Sequence, residues 1–291
     1  MDDIFDFSEA RVAELAQADA ARALREDAGD GDLTAALVPA GSRATARVLL
    51  REPAVLCGAP WVEAVVRQLD PQARISWQGT EGGRCKADQV VLEIAGDARA
   101  LLTAERTALN FLQLLSAVAT RTAGYVEAVR GTRAAIVDTR KTLPGLRLAQ
   151  KYAVRIGGGT NHRIGLYDAI LIKENHIAAA GGIGAALQAA ARVGAQAKFV
   201  EIEVETLDQL DEALAHGARM VLLDNMDLPT LREAVRRNET AGKTRAVLEI
   251  SGGVTLESVR TLAETGVDRI SIGALTKDIK AIDFSMRFQE S

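Results

Sequence analysis

The sequence predicts an α/β fold in which the second half of the chain forms an open, incomplete parallel barrel of about six strands. Three observations predict it. Six short apolar runs recur: AAIVD (134–138), AILIK (169–173), FVEIEVE (199–205), MVLLD (220–224), AVLEIS (246–251) and RISIG (269–273). Amphipathic stretches separate them, namely LRLAQKYAVRI, GIGAALQAAARV, LDQLDEALAHG, LPTLREAVRRN and LESVRTLAETG. Strand followed by helix, repeated, means parallel strands joined by right-handed crossovers. No dinucleotide fingerprint opens the series, which favours a barrel over a doubly wound sheet. A full eightfold barrel takes about 250 residues, and the repeats occupy only about 160.

The elements before the repeats are read from shorter signals. ATARVLL (44–50) and QVVLEIAG (89–96) have strand composition, and GTEGGRC (79–85) reads as a turn-rich connection. Residues 100–130, ALLTAERTALNFLQLLSAVATRTAGYVEAVR, are helical in composition throughout. Leu102, Leu109, Leu112 and Leu115 lie near helical spacing, and Arg106, Asn110 and Gln113 make a polar stripe.

Bulk composition bounds the function. Among 291 residues, 48% are hydrophobic and 25% charged, so the chain is globular in type. A net charge of −4 argues against nucleic-acid binding through overall charge, while permitting a local basic pocket. Cys57 and Cys85 make neither a metal spacing nor a disulfide framework, which points to a reducing, cytoplasmic setting. The opening MDDIFDF is acidic and lacks the apolar core of a secretory signal. No apolar run approaches the roughly 20 residues that span a bilayer.

Barrel active sites sit at the C-terminal ends of strands. Those ends carry Asp138-Thr139-Arg140-Lys141, Lys173, Glu203, Asp224, Ser251-Gly252-Gly253 and Ser271-Ile272-Gly273. One such group is as readily a solvated charge; six on one rim are a pattern. Arg140, Lys141, Arg163 and Lys173 are four cations that need an anion, and arginine's planar fork matches carboxylate or phosphate oxygens in pairs. Glu203 and Asp224 are either salt-bridge partners within this basic rim, or hold Mg²⁺ through waters or accept ribose hydroxyls. The short side chains of SGG and SIG allow backbone N–H groups at a helix start to approach an anion, or are plain strand-to-helix turns.

RIGGGTNHR (155–163) resembles a phosphate cradle, but its glycines follow a helix instead of leading into one. They read as a helix stop that aims His162 and Arg163. Asp30-Gly31-Asp32 lacks the rest of a calcium loop. His162, His176 and His216 lack zinc spacing, and His216, before Gly217, reads as a helix end. Arg147, Lys151 and Arg155 form a like-charged stripe that is either solvated or borders an anion or an acidic partner.

Together these residues resemble one family, the carboxylating nicotinate-nucleotide pyrophosphorylases, or quinolinate phosphoribosyltransferases. The resemblance is carried by EDAGDGDLT (26–34), LLTAERTALNFLQLLSAVAT (101–120), DTRKTLPGLRLAQKYAVRIGGGTNHRIGLYDAILIKENH (138–176), EIEVET (201–206), LLDNM (222–226), LEISGGV (248–254) and SIGALTKDIKAIDFSMRF (271–288). It implies an N-terminal α/β sandwich domain, placed at 1–116, and an open barrel at 117–276, with the tail 277–291 expected to pack back on the first domain. It further implies a dimer with shared active sites, and a Mg²⁺-dependent reaction. Quinolinate and 5-phosphoribosyl-1-pyrophosphate give nicotinate mononucleotide, pyrophosphate and CO₂.

Residue by residue, the resemblance sends Arg106 into the partner's site. It sets Arg140, Arg163 and Lys173 around quinolinate, helped by His162. Thr139 lies beside them, and Lys141, Glu203 and Asp224 serve the ribosyl pyrophosphate and its metal. Ser251, Gly252 and Gly253, with Ser271, Ile272 and Gly273, hold the 5′-phosphate. Lys141, Lys173, Glu203 and Asp224 are the expected catalytic set. The chain departs from many relatives at Lys277, where they carry histidine. Three rivals remain: a Schiff-base aldolase using Lys173, a silent phosphate-binding homologue, and the paralogue of this fold associated with molybdenum transport.

Overall fold

A computed structural model describes residues 5–289. Most of the acidic opening segment read above, residues 1–4, and the last two residues of the tail lie outside them. In chain order, α1 (Glu9–Asp27) precedes β1 (Arg43–Leu50), β2 (Ala54–Val55), α2 (Ala59–Leu69), β3 (Arg74–Trp77), β4 (Arg84–Cys85), β5 (Gln89–Asp97) and α3 (Ala98–Ala128). Strands and helices then alternate as β6 (Ala135–Val137), α4 (Arg147–Ile156), β7 (Ile170–Ile172), α5 (Glu174–Ala180), α6 (Ile183–Val193), β8 (Val200–Val204) and α7 (Leu207–Ala215). The series ends with β9 (Met220–Asp224), α8 (Leu228–Glu239), β10 (Val247–Ser251), α9 (Val259–Ala263), β11 (Arg269–Ser271), α10 (Ala274–Lys277) and β12 (Phe284–Phe288).

The chain forms two units. The first comprises Asp6–Ala123, Thr142–Gly158 and the residues from Leu275. Its antiparallel sheet has the order β12-β1-β5-β3, so the C-terminal strand closes one edge, with Ala46 opposite Phe288. Leu50, Leu92 and Ile94 from the sheet, Trp61 from α2 and Leu112 and Leu115 from α3 are fully buried. The polar stripe of α3 falls where its period predicts: Arg106 and Asn110 are exposed, and Gln113 donates to the Phe284 carbonyl at 3.5 Å.

The second unit comprises Gly124–Lys141 and Gly159–Ala274, apart from the N-terminal residues. All six predicted runs form its parallel sheet, in the order β6-β11-β10-β9-β8-β7. Strands β6 and β7, consecutive in sequence, lie at opposite edges, which makes the barrel open. The intervening α4 explains this, because it belongs to the first unit instead of crossing over the sheet. There Tyr152 packs on Trp61, centroids 5.3 Å apart, and its hydroxyl donates to Glu81 at 3.1 Å. Lys151 is fully buried, so the stripe Arg147–Lys151–Arg155 is not a solvated face.

Two helices depart from expectation. α5 starts directly after Lys173, unforeseen from the sequence. α9 covers only five residues of its amphipathic stretch. Thr255 and Ser258 exchange hydrogen bonds between their backbones and hydroxyls there, a local turn that competes with helix. His216 does end α7, its ring 2.9 Å from the Glu212 carbonyl, with Gly217 at φ 80°.

Candidate active site

Strand alternation sets the depth of each acidic group. In β8, Ile202 and Val204 fill the apolar face, while Glu201 and Glu203 share the other, with Glu205 just past the strand end. Glu201 is fully buried, the Glu203 side chain is 11% exposed, and Glu205 is in solvent. The same alternation buries Glu249 and Arg269, which face each other in register on β10 and β11.

At the rim, the structure brings several predicted residues together. Lys173 Nζ lies 2.9 Å from Glu203 Oε2. Asp224 pairs in register with Ser251, and a Cβ on Gly252 would stand 3.7 Å from Asp224 Oδ1. Burial, and then the charge of Arg140, push the Arg163 guanidinium below its usual range, with Asp168 and Glu201 pulling the other way. The positive charge of Arg140 is therefore felt at Arg163. Thr139 Oγ1 accepts from the Lys141 backbone at 3.0 Å, and Lys141 is exposed. Arg106 lies in the other unit, with its side chain exposed.

The two phosphate-seat candidates differ from the expected pair of helix starts. After Ser251 no helix begins until Val259; instead Gly252 (φ 100°) and Gly253 (φ 59°) make a left-handed loop that side chains would strain. At Ser271 the hydroxyl donates to the Ile250 carbonyl at 3.3 Å, and Ile272 N donates to Val137 O at 2.9 Å. Only Gly273 of that trio is partly exposed, one residue before α10.

The TNHR loop is held by carboxylates. Asp138, fully buried at the end of β6, accepts from the Asn161 side chain at 2.6 Å and from His162 N at 2.8 Å. Asp168 accepts from Ile164 N and Gly165 N at 2.7 and 2.9 Å. Gly157 ends α4, where a Cβ would meet the Ala119 carbonyl at 2.4 Å, and Gly158 takes φ 86°. These glycines stop a helix, as their position in the sequence implies.

Beneath the rim lies a cluster that motif spacing did not reveal. His162 Nε2 is 2.8 Å from Glu201 Oε2 and 3.6 Å from Glu249 Oε1, and Arg269 Nε is 2.8 Å from Glu249 Oε2. The last is a contact of charge without the direction of a good hydrogen bond. Burial pushes the Glu201 carboxyl up to about 7 against the pull of Arg269 and Arg163. Burial, then the charge of Glu201, brings Glu249 up to about 7 as well. The three ligand atoms lie within 4.8 Å of one another, close enough for a metal ion. Arg269, beside Glu249, already supplies compensating positive charge there. The available signal was the acidic residue in step with the interior face of β8 and β10.

An open parallel barrel with charged groups at its strand ends, among them the Lys173–Glu203 pair and Asp224, is the frame of an α/β-barrel enzyme. Comparison narrows the class. The C-terminal domain profile of quinolinate phosphoribosyl transferase matches residues 118–287, and the N-terminal domain profile matches 32–116. The chain belongs to the quinolinate phosphoribosyl transferase family. It is 45% identical over 272 residues to a carboxylating nicotinate-nucleotide pyrophosphorylase of Mycobacterium leprae, covering 91% of this chain and 94% of the relative. A probable enzyme of the same name from Bacillus subtilis is 40% identical, with 90% and 89% covered. The solved nicotinate-nucleotide pyrophosphorylase of Francisella tularensis superposes with a TM-score of 0.91 at 42% identity, covering 99% of this chain and all of that one.

Proposed function

We propose that the chain transfers the phosphoribosyl group of 5-phosphoribosyl-1-pyrophosphate to quinolinate with decarboxylation, giving nicotinate mononucleotide, pyrophosphate and CO₂ for NAD biosynthesis. The observation that carries this reading is the match of both domain profiles of the family along the chain, at residues 32–116 and 118–287. Quinolinate bears two adjacent carboxylates, and a pair of planar forks with a lysine is their complement. His162 supports this clamp, and Thr139 lies next to it. Lys141, Glu203 and Asp224 face the ribosyl pyrophosphate, while Ser251–Gly253 and Ser271–Gly273 receive the 5′-phosphate.

Little covalent work falls to the protein, so positioning dominates. As pyrophosphate leaves, positive charge develops on the ribose, where the Glu203 and Asp224 carboxylates tolerate it, and Lys141 steadies the departing oxygens. Once the ring nitrogen is glycosylated it is cationic, and it stabilises the electron pair left on C2 when the carboxylate departs as CO₂; C2 then takes up a proton from solvent. No general base is assigned.

Glu203 and Asp224 end neighbouring strands and offer hard carboxylate oxygens, the donor set that suits Mg²⁺ with most of its waters retained. They would hold the ion directly or through water, and its chemistry there is to neutralise pyrophosphate charge. Arg106 is assigned to the active site of a partner subunit in a homodimer. Free, buried Cys57 and Cys85 support a cytoplasmic location. The aldolase reading loses support from the Lys173–Glu203 ion pair, since a Schiff-base lysine is a desolvated, uncharged amine.

The deciding assay supplies quinolinate and 5-phosphoribosyl-1-pyrophosphate with Mg²⁺, and measures CO₂ and nicotinate mononucleotide together. Equal yields of both, with no turnover of nicotinate, are expected. Turnover of nicotinate alone overturns the decarboxylating assignment.

A further inference from the structure

His162 is engaged at both ring nitrogens. Its Nδ1 receives the backbone N–H of Arg163 at 2.8 Å. A nitrogen that accepts carries no proton, so the ring proton sits on Nε2. Nε2 in turn lies 2.8 Å from Glu201 Oε2, an acceptor in the middle of β8. The ring is 6% exposed, edge-on to Phe199 with centroids 5.3 Å apart, and its own backbone N–H is given to Asp138. The groups facing it are Glu201, Glu249, Asp138, Phe199 and the Arg163 backbone. Neither nitrogen is turned to a ligand.

We propose that Glu201 is a positioning residue for the dicarboxylate clamp: by accepting the Nε2 proton it fixes the His162 tautomer whose Nδ1 holds the Arg163 backbone. This rests on the assignment of Arg163 to quinolinate. A proton on Nδ1 instead would set two donors against each other, Nδ1–H against Arg163 N–H, and the loop would have to move. Asp138 and Asp168 hold that loop through the backbone on either side of Arg163, and Glu201 adds a restraint that acts through a side-chain tautomer. Glu249, 3.6 Å from Nε2 and tied to Arg269, confines the ring from the neighbouring side. The second oxygen of Glu201, Oε1, has no hydrogen-bond partner among the described residues, so the His162 bond is the directed one this carboxylate makes.

The experiment compares Glu201→Leu, Glu201→Gln and Arg163→Lys in the full-length enzyme. Steady-state KM values for both substrates are read together with ¹⁵N spectra of the histidine rings. Only His162, His176 and His216 contribute, so single His→Gln variants assign them. In the wild type, His162 is expected as the neutral Nε2–H form. Glu201→Gln keeps an acceptor oxygen and should retain both that spectrum and the quinolinate KM. Glu201→Leu should lose the single tautomer and raise the quinolinate KM about tenfold or more, the scale of one unsatisfied buried group, with the KM for the ribosyl pyrophosphate unchanged.

A Glu201→Leu enzyme that keeps the Nε2–H tautomer overturns the proposal. So does one that loses affinity for both substrates alike while Arg163→Lys affects quinolinate alone. If Arg163→Lys shows no preference for quinolinate, the clamp assignment itself falls, a result separate from the tautomer spectrum. Should Glu201→Leu not fold, the Glu201→Gln spectrum decides: a ring protonated on Nδ1 in that variant refutes the role.

Discussion

The two units bury different things. In the first, Trp61, Leu50, Leu92, Ile94, Leu112 and Leu115 make an apolar centre, and buried charge is sparse: Asp19, Asp70 and Lys151 among the described residues. In the barrel unit, Asp138, Arg163, Asp168, Glu201, Glu249 and Arg269 are all buried, with His162 among them. Desolvating such groups costs several kcal/mol each unless partners repay it. Stability alone would favour hydrophobic replacements, so the barrel's ionic interior is the costlier of the two to keep folded. The first unit has the simpler task of staying folded.

That contrast is breakable. The largest effect is expected at Arg163→Ala, with kcat/KM for quinolinate falling about a thousandfold, as for removal of a charged group from a paired, buried setting. The KM for 5-phosphoribosyl-1-pyrophosphate should hardly move, and equal losses for the two substrates would remove Arg163 from the clamp. The role of Arg106 is tested by mixing two inactive variants, Arg106→Ala and Lys173→Ala. Random exchange makes half the dimers mixed, each with one intact site, so about a quarter of wild-type activity should return if sites are shared in a C2 dimer. No recovery after proven exchange would confine each site to one chain.

A pH titration of stability sharpens the comparison further. The folded Glu249 carboxyl titrates near 7, above its ordinary value of 4.5. Between those values the folded state binds more protons than the unfolded one, so Glu249's contribution is whole below about 4.5 and lost as pH rises through about 7. Glu249→Gln does not titrate. Its melting temperature should therefore gain on the wild type from pH 5 to pH 8, by the equivalent of up to about 3 kcal/mol. A gap constant with pH would mean that Glu249 is ionised throughout. The smallest effect belongs to the first unit. Asp19 accepts the Trp61 indole N–H at 2.9 Å, and Asp19→Ala leaves that buried donor unpaired. A loss of about 1–2 kcal/mol is expected in chemical denaturation, with the quinolinate KM unchanged; a selective rise in that KM would blur the division between the units.

Much of this was legible in the sequence, for physical reasons that differ by element. β6, β7 and β9 announce themselves because a parallel strand buried on both faces needs a nearly continuous apolar run, and β8 does so by strict alternation of apolar and acidic residues. The rim residues were legible because barrel chemistry sits where those runs stop. α4 was read as a crossover like the rest, since amphipathic period reports that a face is buried and not against which unit. α5 was hidden by its brevity, and α9 was cut short by the Thr255–Ser258 turn. The buried cluster was missed for another reason. Nothing in the sequence singles out Glu201, Glu249 and Arg269 until the strand register shows which face is the inside. His162 stood out, but its partners lie 39 and 87 residues away in sequence.

The two acids on one face of β8 have a consequence for how the chain finds its fold. Because side chains alternate, sliding this strand by a single residue would turn Glu201 and Glu203 onto the side now occupied by Ile202 and Val204. Any slip of β8 against β7 or β9 by an odd number of residues would then drive carboxylates into the apolar layer and turn isoleucine and valine to the opposite face. The residues that burden the finished barrel are thus also its alignment marks, making the wrong registers costlier than the right one during assembly.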